Sequence, residues 1–202
     1  LWSFVDRSKI SKFFFTNPPG FTRINQENAL RAGVMSMSVA TSTIDYLKHN
    51  QLVITTAESC TAGRVIALLS QVEGAGSCIE SGYVVYSPQA KQRLLNVRAY
   101  TLETFNLTSC EVAQEMACGA LRDSPADVAI ATTGLLGPDA VDGIPPGTVC
   151  FAWAFRTGRG LSVFSRKERF MGGREHVQQA ASEHALKWLA HFHQRALAGE
   201  QA

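Results

Sequence analysis

Apolar positions recur along this chain with two different periods, and the switches between them mark out its elements. Leu52 to Thr56 is a short β-branched and apolar run and reads as the first strand. Beyond it, Val65, Ile66, Leu68 and Leu69 fall at helical spacing, which predicts a helix from Thr61 to about Gln71, stopped by Gly74-Ala75-Gly76. Ile79 to Tyr86 reads as the second strand, with Ser87 and Pro88 as the cap and first residue of a short helix through Leu95. Thr108 and Glu111 have capping-box spacing ahead of the stripe Val112, Ala113, Met116, Ala117, Ala120 and Leu121. Val128 to Thr133 and Thr148 to Phe155 read as buried strands, and Gly158 to Gly160 turns the chain into an antiparallel strand over Leu161 to Phe170. Val177, Ala180, Ala181, His184, Ala185, Trp188 and Phe192 predict a final helix from near Arg174. A first helix is predicted over Met35 to His49, on Val39, Thr43, Tyr46 and Leu47.

Strands alternating with helices and closing on a hairpin and a helix predict an α/β fold, a three-layer α/β/α single domain around a mixed, mostly parallel sheet. Residues 1–34 stand apart: Arg7, Lys9, Lys12, Arg23 and Arg31 oppose only Asp6 and Glu27, and Phe13-Phe14-Phe15 ends at Pro18-Pro19-Gly20. They are expected to form a loosely ordered N-terminal extension, with the domain over 35–202. The chain opens on Leu, whereas Met35 begins a segment that reads as an ordinary protein start. The extension is therefore read as the end of a longer protein, an over-extended reading frame or a transit segment.

Charge narrows the function classes. Nineteen Lys and Arg against 17 Asp and Glu leave a formal charge of +2, too little for a broad nucleic-acid or membrane footprint. No apolar run approaches the roughly 20 residues of a membrane span. The odd count of five cysteines with no CxxC pair indicates neither a zinc ribbon nor a disulfide framework, and a cytoplasmic location fits. The histidines lack a HExxH arrangement, and there is no P-loop or GxGxxG, so no metal or cofactor is expected.

The candidate chemistry lies where strands give way to helices, the region in which such sheets gather ligands. In TAESCTAG, Thr56 to Gly63, Ser59 stands at a strand-to-helix junction near backbone amides and the positive end of a helix dipole. That suits a nucleophile or an anion; equally, Glu58, Ser59 or Thr61 would serve simply to cap the helix. SGYVVYSPQAK ends the second strand at Tyr86 and puts Lys91 early in the next helix, exposed by default and a base only if its pKa falls. TTGLLGPD, with Thr133 and Gly134, leaves the third strand into a glycine-punctuated loop followed by GIPPGTV, readable as a ligand loop or as ordinary turns. GGREHV places Arg174 at the start of the last helix, where it and free amides suit a phosphate.

These four motifs, in this order and spacing from about Ser36 to Ala196, resemble the CinA C-terminal domain family, whose characterised members are nicotinamide mononucleotide deamidases. The resemblance implies a metal-independent amidohydrolase that turns the carboxamide of nicotinamide mononucleotide into a carboxylate and ammonia. It implies Ser59 as nucleophile, Lys91 as general base, Tyr86 as a neighbouring catalytic or positioning hydroxyl, and Thr133, Gly134 and Arg174 lining the substrate site. Amides near Cys60 and Thr61 would then hold the oxyanion. Family members also suggest a homo-oligomer. The chain departs from the family pattern at Ala62, where a second glycine is common, near Ser81, and in GPDAVDGIPP, where Asp139 and Asp142 replace a glycine-rich loop. Those departures keep two other readings open: a non-catalytic nucleotide-binding or regulatory module, and an amidohydrolase for another small carboxamide.

Overall fold

The computed structural model describes residues 23–200; residues 1–22, within the extension expected over 1–34, lie outside the described residues. Helix α1 spans Arg23–His49 and so begins twelve residues before the predicted Met35. Arg23 to Ala32 is rich in Asn, Gln, Glu, Ala and Leu and holds no proline, so nothing local stops the helix there. The remaining elements are β1 (Ile54–Glu58), α2 (Arg64–Ser70), β2 (Ile79–Val84), α3 (Pro88–Leu95), α4 (Ala99–Phe105), α5 (Cys110–Arg122), β3 (Val128–Leu135), β4 (Thr148–Thr157), β5 (Gly160–Arg169), α6 (Arg174–Lys187) and α7 (Leu189–Leu197).

The five strands form one mixed sheet in the order β2-β1-β3-β4-β5. β1 pairs in parallel with both β2 and β3, while β4 runs antiparallel to its neighbours β3 and β5, so β4 alone opposes the other four. The expected α/β/α layering is met, and the sequence of β4 explains its two faces. Val149, Phe151, Trp153 and Phe155 point into a cluster with α1, α2, α6 and α7. Cys150, Ala152 and Ala154 point the other way, into a cluster built by α3 and α5. Bulky residues fill the first layer, and small ones let α5 lie close on the second.

Several boundaries shift, each for a local reason. Ser109, rather than Thr108, caps α5, its Oγ accepting from the Val112 N–H at 3.2 Å. The single predicted C-terminal helix is two, α6 and α7, meeting at Trp188. β1 ends two residues later than predicted and α2 begins three residues later, which leaves Ser59 to Gly63 as a turn. Among the described residues, no helix is long and apolar enough to cross a membrane.

Candidate active site

Ser59 follows the last residue of β1, and its N–H donates to the Thr132 carbonyl at 2.9 Å, extending the β1–β3 pairing by one step. Glu58 pairs with Thr132, so Ser59 comes beside Thr133 on the neighbouring strand. Alternation along β1 then sends Glu58 and Ser59 to opposite layers.

Glu58, completely buried, settles what caps α2. Its Oε2 accepts from Thr61 Oγ1 at 2.6 Å and from the N–H groups of Gly63 and Val65, each at 3.0 Å. Its Oε1 accepts from the Ile66 N–H at 3.0 Å and from Thr56 Oγ1 at 3.3 Å. The carboxylate thus absorbs the positive end of the α2 dipole, and the expectation that this end is aimed at Ser59 is corrected. Ser59 is spared the capping role and turns to the other layer.

There it meets Lys91. Lys91 and Leu95 are the buried residues of α3, which Ser87 and Pro88 start in the expected way. The lysine is 1% exposed, against the expectation of an exposed side chain, because α3 lies over the end of the sheet. Its Nζ sits 2.9 Å from Ser59 Oγ, 2.8 Å from the Val85 carbonyl and 3.3 Å from the Tyr86 carbonyl. Desolvation by burial lowers its pKa to about 8, with the Cys60 thiol acting weakly in the opposite sense. A neutral amine placed here has two N–H bonds for the two carbonyls and one lone pair for the Ser59 hydroxyl proton.

The other expected residues fall into three groups. Tyr86 contributes its carbonyl to this cluster, whereas its side chain is 60% exposed. Cys60 and Thr61 are buried, and neither N–H bonds a backbone carbonyl among the described residues. Burial pushes the Cys60 thiol up to about 12. Thr133 neighbours Ser59, but its hydroxyl is committed to the Leu107 carbonyl at 2.6 Å. At Gly134 the chain passes so close to β4 that a Cβ would stand 2.7 Å from the Thr148 carbonyl, which makes this glycine a packing requirement of the strand.

Arg174, exposed at the start of α6, lines a cavity of about 250 Å³ with Gly137, Pro138, Pro146, Arg169 and Met171. Ser59 and Lys91 do not line that cavity. The link between them is Gln178, one turn along α6, which donates through Nε2 to the Cys60 carbonyl at 2.9 Å. Sequence reading named Glu58 only as one of three candidate caps and passed over Gln178. A glutamate ending an apolar strand was the signal that singles Glu58 out among them, but Gln178 carried none, since its partner lies 118 residues away. Among the described residues, no group of three or more His, Cys, Asp or Glu is arranged to hold a metal ion.

A family model described as the CinA C-terminal domain matches residues 36–193. The nicotinamide-nucleotide amidohydrolase PncC of Escherichia coli (strain K12) is 40% identical over 144 residues, covering 71% of this chain and 86% of that protein. Protein YdeJ of the same organism is also 40% identical, over 69% of this chain and 80% of its own length. Among solved structures, the competence/damage inducible protein CihA from Agrobacterium tumefaciens superposes with a TM-score of 0.74 at 32% identity, covering 79% of this chain and 96% of that one.

Proposed function

Because the chain belongs to the CinA C-terminal domain family, we propose that it is a nicotinamide-nucleotide amidohydrolase, carried by the domain over residues 35–202 and acting through Ser59 and Lys91. The observation that carries this reading is the 2.9 Å contact between the Ser59 oxygen and a buried lysine nitrogen. The Escherichia coli relative is named for action on a nicotinamide nucleotide, and within that class the family resemblance points to nicotinamide mononucleotide.

In this mechanism neutral Lys91 takes the Ser59 proton as Oγ attacks the carboxamide carbon. The Cys60 and Thr61 amides, which bond no backbone carbonyl among the described residues, would serve the developing oxyanion, a contribution typically of about 3 kcal/mol per donor. The Lys91 ammonium then returns its proton to the leaving nitrogen, ammonia departs, and an ester to Ser59 remains. Water, activated by the same amine, releases nicotinic acid mononucleotide and restores Ser59. The Val85 and Tyr86 carbonyls hold the amine in register through both halves. The exposed Tyr86 ring acts by contact with bound substrate, and Arg174 with the glycine loops takes the 5′-phosphate. Thr133 and Gly134 act by keeping β3 and the turn before α5 in place.

The test is ammonia release from nicotinamide mononucleotide by the purified protein with a chelator present. Activity is expected, and Ser59→Ala is expected to remove it while the fold is retained. Folded wild-type protein that leaves this substrate intact would overturn the proposal. Thermal stabilisation by the mononucleotide without ammonia release would mark a binding module instead.

A further inference from the structure

A second cluster of reactive groups lies two strands from Ser59 and plays no part in the amidase chemistry. Cys150 on β4 is the cross-strand partner of Thr133, and its side chain faces the α5 layer. Cys110 is the first residue of α5, and two bonds fix where it lies. Before it, the Leu107 carbonyl is held by Thr133 Oγ1, at the level of Cys150 on the sheet. After it, Gln114 Nε2 donates to Ser165 Oγ at 2.9 Å, and Ser165 pairs with Ala152, two residues along β4 from Cys150. One helical turn back from Gln114 is about 6 Å, and the two-residue step from Ala152 to Cys150 is about 7 Å. The helix and the strand therefore bring Cys110 over Cys150, and its side chain packs into the cluster to which Cys150 belongs.

We propose that Cys110 and Cys150 are a thiol modification site that closes to a disulfide on exposure to a peroxide. The neighbouring Cys150 thiol, ahead of the Ser165 hydroxyl and the Lys167 charge, brings the Cys110 thiol down to about 6 against its burial. Cys150 is pushed up and stays a thiol. Cys110 is half-buried and open to a small oxidant, whereas Cys150 is fully enclosed. The Cys110 thiolate attacks one peroxide oxygen, the O–O bond breaks, and the departing hydroxide is protonated to water. The Cys150 sulfur then attacks the Cys110 sulfenic sulfur, and the expelled hydroxide leaves as water with the Cys150 proton. Two thiols and one hydrogen peroxide give one disulfide and two waters.

Of the five free cysteines, Cys60 and Cys78 are buried without such a partner and serve as internal controls. The full chain is treated with hydrogen peroxide, denatured, alkylated and digested. A peptide pair joining Cys110 to Cys150 is expected, with Cys60 and Cys78 alkylated in full and the link lost on reduction. In Cys150→Ala, the first step is expected to stall, leaving Cys110 as a sulfenic acid that dimedone traps. Wild-type protein in which Cys110 and Cys150 alkylate as completely as Cys78 would overturn the proposal, whatever the variant does. Because this readout counts thiols, it stands or falls apart from the amidase reading.

Discussion

Lys91 is the residue at which sequence and structure differ most in consequence. An early helical lysine is exposed by default, yet this one is enclosed, and its amine is held by two carbonyls with no carboxylate among its bonded partners. A pKa lowered to about 8 by desolvation has a direct sign for catalysis. Below it the amine is an ammonium and cannot accept the Ser59 proton; above it the base is free. Activity on nicotinamide mononucleotide should rise about tenfold per pH unit below about 8 and level off above it. Lys91→Arg should lose that turnover at every pH while retaining most of the substrate binding. A flat pH profile through this range would remove Lys91 from its role.

Ala62, three residues beyond Ser59, carries a second residue-scale consequence. It is exposed and has a φ of 53°, a left-handed conformation that costs an L side chain about 1 kcal/mol and glycine nothing. The departure from the family's glycine noted in the sequence is therefore a strain in the turn. Ala62→Gly should raise the stability of the folded chain by up to about 1 kcal/mol in urea denaturation.

At the scale of elements, β4 was the most legible part of the chain. Its alternation of Val149, Phe151, Trp153 and Phe155 with Cys150, Ala152 and Ala154 already contains the two unequal layers of the fold. The small face is small because α5 crosses it closely. Ala152→Leu should therefore destabilise by about 1–3 kcal/mol in chemical denaturation through overpacking, although leucine is the more apolar residue. Two elements were not legible. α4 has no apolar stripe, since Tyr100 and Phe105 are exposed and Thr101 is its buried residue. The break at Trp188 is hidden because the apolar spacing runs on through it into α7. Capping was legible only as a set of candidates: Ser87 for α3 held, Ser109 replaced Thr108 on α5, and Glu58 emerged for α2.

For the whole molecule, the buried lysine links folding to pH. The unfolded chain holds its Lys91 proton up to about 10.5, whereas the folded chain has released it by about 8, so between these values the unfolded state binds more protons. Stability contributed by this group is therefore lowest below pH 8 and rises with pH through that window. The wild-type protein should gain stability relative to Lys91→Met as pH is raised from 8 to 10.5, measured by urea midpoints; parallel curves would contradict it.

Local pattern by itself determined the order of the strands and of most helices, the α/β layering, and the small set of strand-end motifs from which the site is drawn, because periodicity and turn chemistry act over a few residues. Tertiary structure alone decided what those motifs do. Burial of α3 against the sheet end turns Lys91 from a solvated cation toward a base. The choice of Glu58 as the cap frees Ser59, and α6 reaches Cys60 through Gln178 across 118 residues. Solvent exclusion and contacts between distant segments set those outcomes, and neither is encoded in any local run of residues.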